Sequence, residues 1–222
     1  MLGALVLAER PVANPDGDAV RSVLAGALRR RGCEALPWDD AARSIRARIA
    51  FVGTLEPGGG WPAMDDDALM ADLEVWLGSA LDGITRLDAL GRVELGAALR
   101  ERLDHDQRRR LDLLAPTHVS VPTGNARPVD YGGPDGPVLA VRLQELFGAR
   151  QGPSIGGGRV PLLLHLLSPA GRPVQVTRDL AGFWAGSYAE VRRDLRGRYP
   201  RHPWPEDPAA ATPTARAKPR GT

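Results

Sequence analysis

Residues 160–208 read VPLLLHLLSPAGRPVQVTRDLAGFWAGSYAEVRRDLRGRYPRHPWPEDP, and the fold of the second half turns on this stretch. The apolar run Pro161–Ser168 and the run Arg172–Thr177 flank Pro169-Ala170-Gly171, which predicts two strands joined as a hairpin. Asp179 predicts the cap of a short helix that carries Phe183 and Trp184. Ser187-Tyr188-Ala189-Glu190 has the S-x-x-E spacing of a capping box, so a second helix starts there. Tyr188, Val191 and Leu195 form its apolar face, and Pro200 stops it. Arg192, Arg193 and Arg196 fall within about 100° of one another around that helix. Arg198 lies further round, and Arg178 and Arg201 flank the segment. Two readings stand for these arginines: a solvated, salt-bridged helix face, or a strip that contacts phosphates. The second would position nucleic acid without reading its sequence.

Outward from this segment, the chain changes character at Pro116. Thr117–Pro122 and Ala126–Tyr131 alternate around Thr123-Gly124-Asn125 and predict another hairpin. Val138–Phe147 reads as a helix with Leu139, Leu143, Leu146 and Phe147 inward and Gly148 closing it. Gln151–Gly158 reads as a flexible Gly-rich connection. Upstream of Pro116 the pattern is helical. Asn14-Pro15 opens a first helix that Gly32 ends. Asp39 or Asp40 opens a second that ends at Gly53, and Asp65–Asp67 open a third. Shorter helices follow around Leu87, around Leu95, Leu99 and Leu103, and over Gln107–Leu114. Leu2–Ala8 reads as a strand with no partner nearby, which suggests the last strand of a sheet lying upstream. The expected architecture is α+β: a mostly helical region over 1–115, a small α+β module over 116–208 with two hairpins and an Arg-rich helix, and a disordered Pro/Ala-rich tail over 209–222.

Composition sets the partners. The chain has 222 residues and a formal charge of +2. The charge is uneven: residues 1–115 carry a net −4 and residues 116–222 a net +6, which points to an anionic partner for the second half. Lys218 is the lone lysine among 29 basic residues. That bias has two readings, GC-rich codon usage or a surface of guanidinium forks for phosphate. One cysteine, Cys33, leaves no internal disulfide and no multi-cysteine zinc site. No run approaches the ~18 apolar residues of a membrane span, and MLGALVLAER lacks the basic start of a signal peptide. A cytoplasmic protein is expected.

Most catalytic motifs fail on context. Gly152-Pro153-Ser154-Ile155-Gly156 fits G-x-S-x-G, but no strand-turn-helix surrounds the serine. Gly152 and Gly157 have P-loop spacing, yet Gly158 and Arg159 stand where Lys and Ser/Thr are required. His105, His118, His165 and His202 have no metal spacing, and His165 reads as a strand-face residue. Cys33 reads as a packing residue. No catalytic, cofactor-binding or metal-binding residue is assigned.

The runs PTHVSVPTGNARPVDY, PVLAVRLQELFG, GGRVPLLLHLLSPAGRPVQVTRDLAGFW and SYAEVRRDLRGRYPRHPWPEDP resemble the C-terminal domain of the HrpB family. These are bacterial ATP-dependent RNA helicases of the DEAH/DExH type. The likeness is close from Pro116 to Pro208 and looser through the helical half, including LGALVLAERP and LPWDDAARSIRAR. It implies a detached accessory part that begins near the end of an OB-like sheet and docks on helicase motor domains. ATP and Mg2+ are implied for the motor alone, which this sequence lacks, so the chain by itself is expected to be non-catalytic. RNA is the implied nucleic acid, and Arg178, Arg192, Arg193, Arg196, Arg198 and Arg201 are its candidate contacts. The alternative is a protein-interaction module that never touches RNA, with Phe183, Trp184 and Trp204 as anchors.

Overall fold

The computed structural model describes residues 16–216. The Leu2–Ala8 strand and the Asn14-Pro15 entrance lie outside them. The chain forms two compact units that cut across the composition change at 115/116. Among the described residues, one comprises 16–42 together with Ala63–Arg102; the other comprises Arg43–Pro62 and 103–216.

The first unit is helical. α1 (Gly17–Arg31) is capped by Asp16, whose carboxylate accepts from the Ala19 amide, and ends at Gly32 with φ of 84°. Arg29–Arg31 fill its last turn, where cations suit the helix dipole. Arg29 also donates to Glu74 at 2.9 Å and to the Met70 carbonyl at 3.1 Å. α2 (Asp40–Leu55) starts after Asp39, which accepts from the Ala42 amide at 2.7 Å. It runs two residues past the expected stop at Gly53. The single helix expected after Asp65 is two: α3 (Asp66–Ala71) and α4 (Leu73–Leu77), separated at Asp72. A 3-10 turn over Leu87–Arg92 precedes α5 (Leu95–Glu101). Leu69, Leu73, Leu77, Leu81, Leu95 and Leu99 form the interior, and the Trp76 indole donates to the Leu69 carbonyl at 2.9 Å.

The second unit contains the remainder of α2, α6 (His105–Leu114) and, among the described residues, all the strands. α6 starts with a formed capping box: Asp104 accepts from the Gln107 amide, and the Gln107 side chain accepts from the Asp104 amide. Arg48 explains why α2 and α6 group with the strands. Its side chain is 4% exposed, bonded to Asp112 at 2.7 Å and to the Ala115 carbonyl at 2.6 Å. Phe51 packs against Tyr131 with ring centroids 5.3 Å apart. The Tyr131 hydroxyl donates to the Pro116 carbonyl, and burial raises its pKa well above the usual phenol range.

β1 (His118–Ser120) and β2 (Ala126–Pro128) form the expected antiparallel hairpin. The helix expected over Val138–Phe147 is instead β3 (Val138–Arg142) followed by a 3-10 turn over Leu143–Leu146. The alternation was there: Leu139 and Val141 are buried, while Ala140 and Arg142 face outward. A short apolar run followed by more leucines fits either period, and tertiary pairing decided. β4 (Ser154–Ile155) and β5 (Val160–Pro161) form a small antiparallel ladder. The Gly-rich connection is therefore a tight turn. Gly156, Gly157 and Gly158 all have φ between 64° and 84°, and a β-carbon on Gly156 would meet Leu55 at 2.9 Å. β6 (Leu163–Leu167) lies between β3 and β7 (Pro173–Thr177), parallel to the first and antiparallel to the second. The β3–β6 link is long because a parallel pair needs a crossover.

α7 (Leu180–Ala185) is capped by Asp179, which accepts from the Gly182 amide at 2.8 Å, as expected. α8 (Tyr188–Arg198) follows. Phe147, Phe183, Trp184 and Tyr188 form one aromatic cluster with centroid separations of 5.1–6.4 Å. Within the 3-10 turn, Glu145 is completely buried. It accepts from Arg127 at 2.7 Å and 2.8 Å and from Asn125 at 3.1 Å. Residues 209–216 depart from the disordered tail that was expected. The Thr214 amide donates to the Gln144 carbonyl at 3.0 Å, and Gly148 donates to the Pro208 carbonyl at 2.9 Å. Gly148, with φ of 81°, lets this strap close: a β-carbon there would meet the Ala211 carbonyl at 3.1 Å.

Candidate nucleic-acid interface

α8 presents the arginines, and the elements around it fix which of them are free. The segment after the helix folds back along it. The Tyr188 hydroxyl donates to the Pro205 carbonyl at 2.8 Å, and the Trp204 indole donates to the Tyr199 carbonyl at 2.9 Å. Burial pushes the Tyr188 phenol up to about 12. Arg192 belongs to this seam. It donates to the Trp204 carbonyl at 2.9 Å and to Glu206 at 3.1 Å, and its side chain is 24% exposed.

Arg198 pairs with Asp194 one turn earlier, at 3.3 Å. Arg178 sits between β7 and α7, outside the helix, and donates to the Asp135 carbonyl. Arg201 follows α8 beside His202. The His202 imidazole is held below its ordinary range, first by burial and then by the charges of Arg142 and Arg201. Its ring meets Tyr199 edge-on, with centroids 6.3 Å apart. Arg193 and Arg196 differ from the rest. Both are exposed, and among the described residues neither has a hydrogen-bond or acidic partner. Of the six candidates, the helix gathers Arg192, Arg193, Arg196 and Arg198, and two of those four have uncommitted guanidinium groups.

The capping box expected at the start of α8 is not formed. Ser187 has helical backbone angles, φ −71° and ψ −12°, and makes no side-chain cap bond. The capping geometry needs an extended N-cap backbone, which the turn from Gly186 does not supply. Glu190 instead lines a cleft of about 330 Å3 between α8 and the β6–β7 turn. Arg172, Asp194, Arg198 and Tyr199 share its walls, and Val174, Val191 and Leu195 contribute apolar surface. Sequence reasoning passed over Arg172 and gave Glu190 a capping role. The signal was present as Glu190, Asp194 and Arg198 at four-residue intervals, which places them on one face.

Two of the three aromatic anchors of the alternative reading are interior, and Trp184 is half-buried. Phe183 and Trp204 are 4% and 8% exposed, and Trp184 donates to the Ala149 carbonyl within the cluster. Among the described residues, no group of three or more His, Cys, Asp or Glu side chains could hold a metal ion, and no helix is long and apolar enough to cross a membrane.

A three-stranded mixed sheet, a cluster of four aromatic rings and an arginine-bearing helix make up this part of the chain. Residues 76–208 match the family of the ATP-dependent helicase C-terminal region, HrpB_C, and the chain belongs to that family. Among particular proteins, it is similar to the ATP-dependent RNA helicase HrpB of Escherichia coli (strain K12), with 42% identity over 217 residues. That alignment covers 98% of this chain and 27% of the relative. The crystal structure of the E. coli DExH-box NTPase HrpB superposes with a TM-score of 0.86 at 43% identity, over 94% of this chain and 26% of that one. A crystal structure of the Escherichia coli DEAH/RHA helicase HrpB gives 0.73 at 40% identity, over 91% and 26%. The chain thus spans about a quarter of the length of the relatives it matches, and it corresponds to the C-terminal part of a helicase whose motor domains lie elsewhere.

Proposed function

We propose that this chain is the accessory part of an ATP-dependent RNA helicase, docking on the motor and holding RNA by backbone contacts independent of sequence. Kinship with a named ATP-dependent RNA helicase supports the parent activity. One observation supports the contact surface: Arg193 and Arg196 stand free on one face of α8, about 60° apart by helical geometry. A free guanidinium can form a bidentate bond with a phosphate without first breaking an internal pair. Arg192 acts from behind, fixing the segment after α8, and is a positioning residue. Arg178, Arg198 and Arg201 remain secondary contacts, since each is an exposed residue. ATP and Mg2+ belong to the motor in this reading, and the protein works in the cytoplasm.

The test is RNA affinity of the whole chain as a function of salt. The Arg193→Ala/Arg196→Ala variant should weaken binding at low salt about equally for different sequences. Losing two phosphate contacts should flatten the slope of log K against log salt by about 1.4 for single-stranded RNA. An unchanged slope in a folded variant would overturn the assignment of these two arginines.

A further inference from the structure

The cleft beside α8 has a chemistry that the backbone strip lacks. Glu190 and Asp194 line it from the helix, and Arg172 and Arg198 line it as well. Pro173, Val174, Val191 and Leu195 provide apolar surface, and Tyr199 adds an aromatic ring. Asp194 is engaged with Arg198 at 3.3 Å. Glu190 is exposed and, among the described residues, has no hydrogen-bond or ionic partner. Ser168 shapes the turn from below, its hydroxyl accepting from the Arg172 amide at 3.1 Å, and it is 2% exposed.

An apolar wall with a ring, a free carboxylate and a pair of guanidiniums complements three parts of one nucleotide. The base face lies on apolar or aromatic surface, the base edge donates to the carboxylate, and the phosphate meets the arginines. The volume of about 330 Å3 suits one base with part of its ribose. A carboxylate accepts and cannot donate. Guanine presents two adjacent donors on its Watson–Crick edge, N1–H and the N2 amine. Cytosine and adenine present one exocyclic amine each. Uracil presents one N–H between two carbonyls that repel a carboxylate.

We propose that the cleft formed by Glu190, Asp194, Arg172, Arg198 and Tyr199 is a base subsite for a guanine splayed out of single-stranded RNA. The subsite rests on the reading that this chain contacts RNA, and it adds a preference that the backbone strip cannot give. By helical geometry Glu190 lies about 60° round α8 from Arg193, three residues earlier, so the cleft adjoins the Arg193/Arg196 strip. Neighbouring nucleotides of one strand therefore reach both. Glu190 is the specificity residue, because it is the carboxylate with no internal partner.

Fluorescence anisotropy on the full chain tests this, with two labelled single-stranded RNAs: a uridine dodecamer, and the same length with guanine at every third position. The guanine-bearing RNA should bind about ten-fold tighter, the scale of one good two-point base contact. In Glu190→Gln the ratio of the two affinities should fall to about three-fold or less, because the amide places a donor against the N–H edge. Replacing guanine by inosine, which lacks the N2 amine, should lower the wild-type ratio in the same direction. Equal affinity of the wild type for both RNAs, with measurable binding, would overturn the subsite and leave the backbone reading standing. A ratio retained in Glu190→Gln would overturn the role of that carboxylate. Failure of both RNAs to bind would overturn the subsite and the backbone reading together.

Discussion

The arginines of the interior and those of the outer face of α8 do opposite work with one side chain. Arg48 is 4% exposed and spends its fork on Asp112 and the Ala115 carbonyl, which ties α2 to the end of α6. Arg127 reaches in from the β1–β2 hairpin to a Glu145 that has no exposure at all. Among the described residues, Arg193 and Arg196 hold nothing. A buried guanidinium needs an ionic or hydrogen-bond partner because a lone buried charge costs several kcal/mol. An exposed one is under no such constraint and stays available. The comparison shows that the Arg bias of this chain is not one signal. It serves internal architecture in some places and leaves open cations in others, and burial separates the two.

The sharpest way to break that comparison is to cut an interior pair. Arg127→Ala strands the buried Glu145 carboxylate with only Asn125, so chemical denaturation should show a loss of about 3–5 kcal/mol. A loss under 1 kcal/mol would mean that the carboxylate finds another partner. Arg192→Ala comes next. It removes two hydrogen bonds from the seam between α8 and the returning segment, at a cost of about 1–2 kcal/mol. RNA affinity should fall less than in Arg193→Ala/Arg196→Ala. That double variant, by contrast, should unfold within about 0.5 kcal/mol of the wild type, as exposed substitutions do. If Arg192→Ala weakens RNA binding more than the double variant does, the division between positioning and contacting arginines is wrong.

Smaller effects sharpen the picture. Tyr188→Phe loses the bond to the Pro205 carbonyl and should cost about 1 kcal/mol near neutral pH. Burial raises the Tyr188 phenol from 10.0 to about 12. The folded state therefore keeps a proton that the unfolded state releases, and stability falls as pH rises from about 10 to about 12. Tyr188→Phe should soften that alkaline loss, and Tyr131 should keep part of it, because its phenol is raised as well. His202 runs the other way. Its pKa is lowered by burial, Arg142 and Arg201, so its contribution is present above the unfolded histidine value and is lost as pH falls below it. Last, Ser187→Ala should change stability by less than about 0.5 kcal/mol, since no cap bond is lost, while Asp104→Ala should cost about 1 kcal/mol.

Much of the second unit was legible along the chain. Turn residues and alternation located the β1–β2 and β6–β7 hairpins, Asp179 located α7, and the Ser187–Pro200 pattern located α8. These signals are local: a cap, a glycine or a proline acts within a few residues. Val138–Phe147 was misread because its period could not be told over so short a run. Its identity as a strand depends on β6, twenty residues downstream, offering a parallel partner. The strap over 209–216 was missed for a similar reason. Its Pro/Ala composition carries no pattern, and it is tied by the Gln144 carbonyl to Thr214 and by the Asp207 carboxylate to the Ala209 and Ala210 amides.

The sequence by itself determined the class of this protein, its helical and mixed segments, the arginine-bearing helix and the family to which it belongs. The tertiary structure alone decided which arginines are open. Arg192 and Arg193 are adjacent and identical in the chain, yet one is bonded to the Trp204 carbonyl and Glu206 while the other faces solvent. It also released Glu190 from the cap and set it in a cleft. The physical reason is that a side chain's availability depends on what folds against it, and those neighbours come from distant parts of the chain.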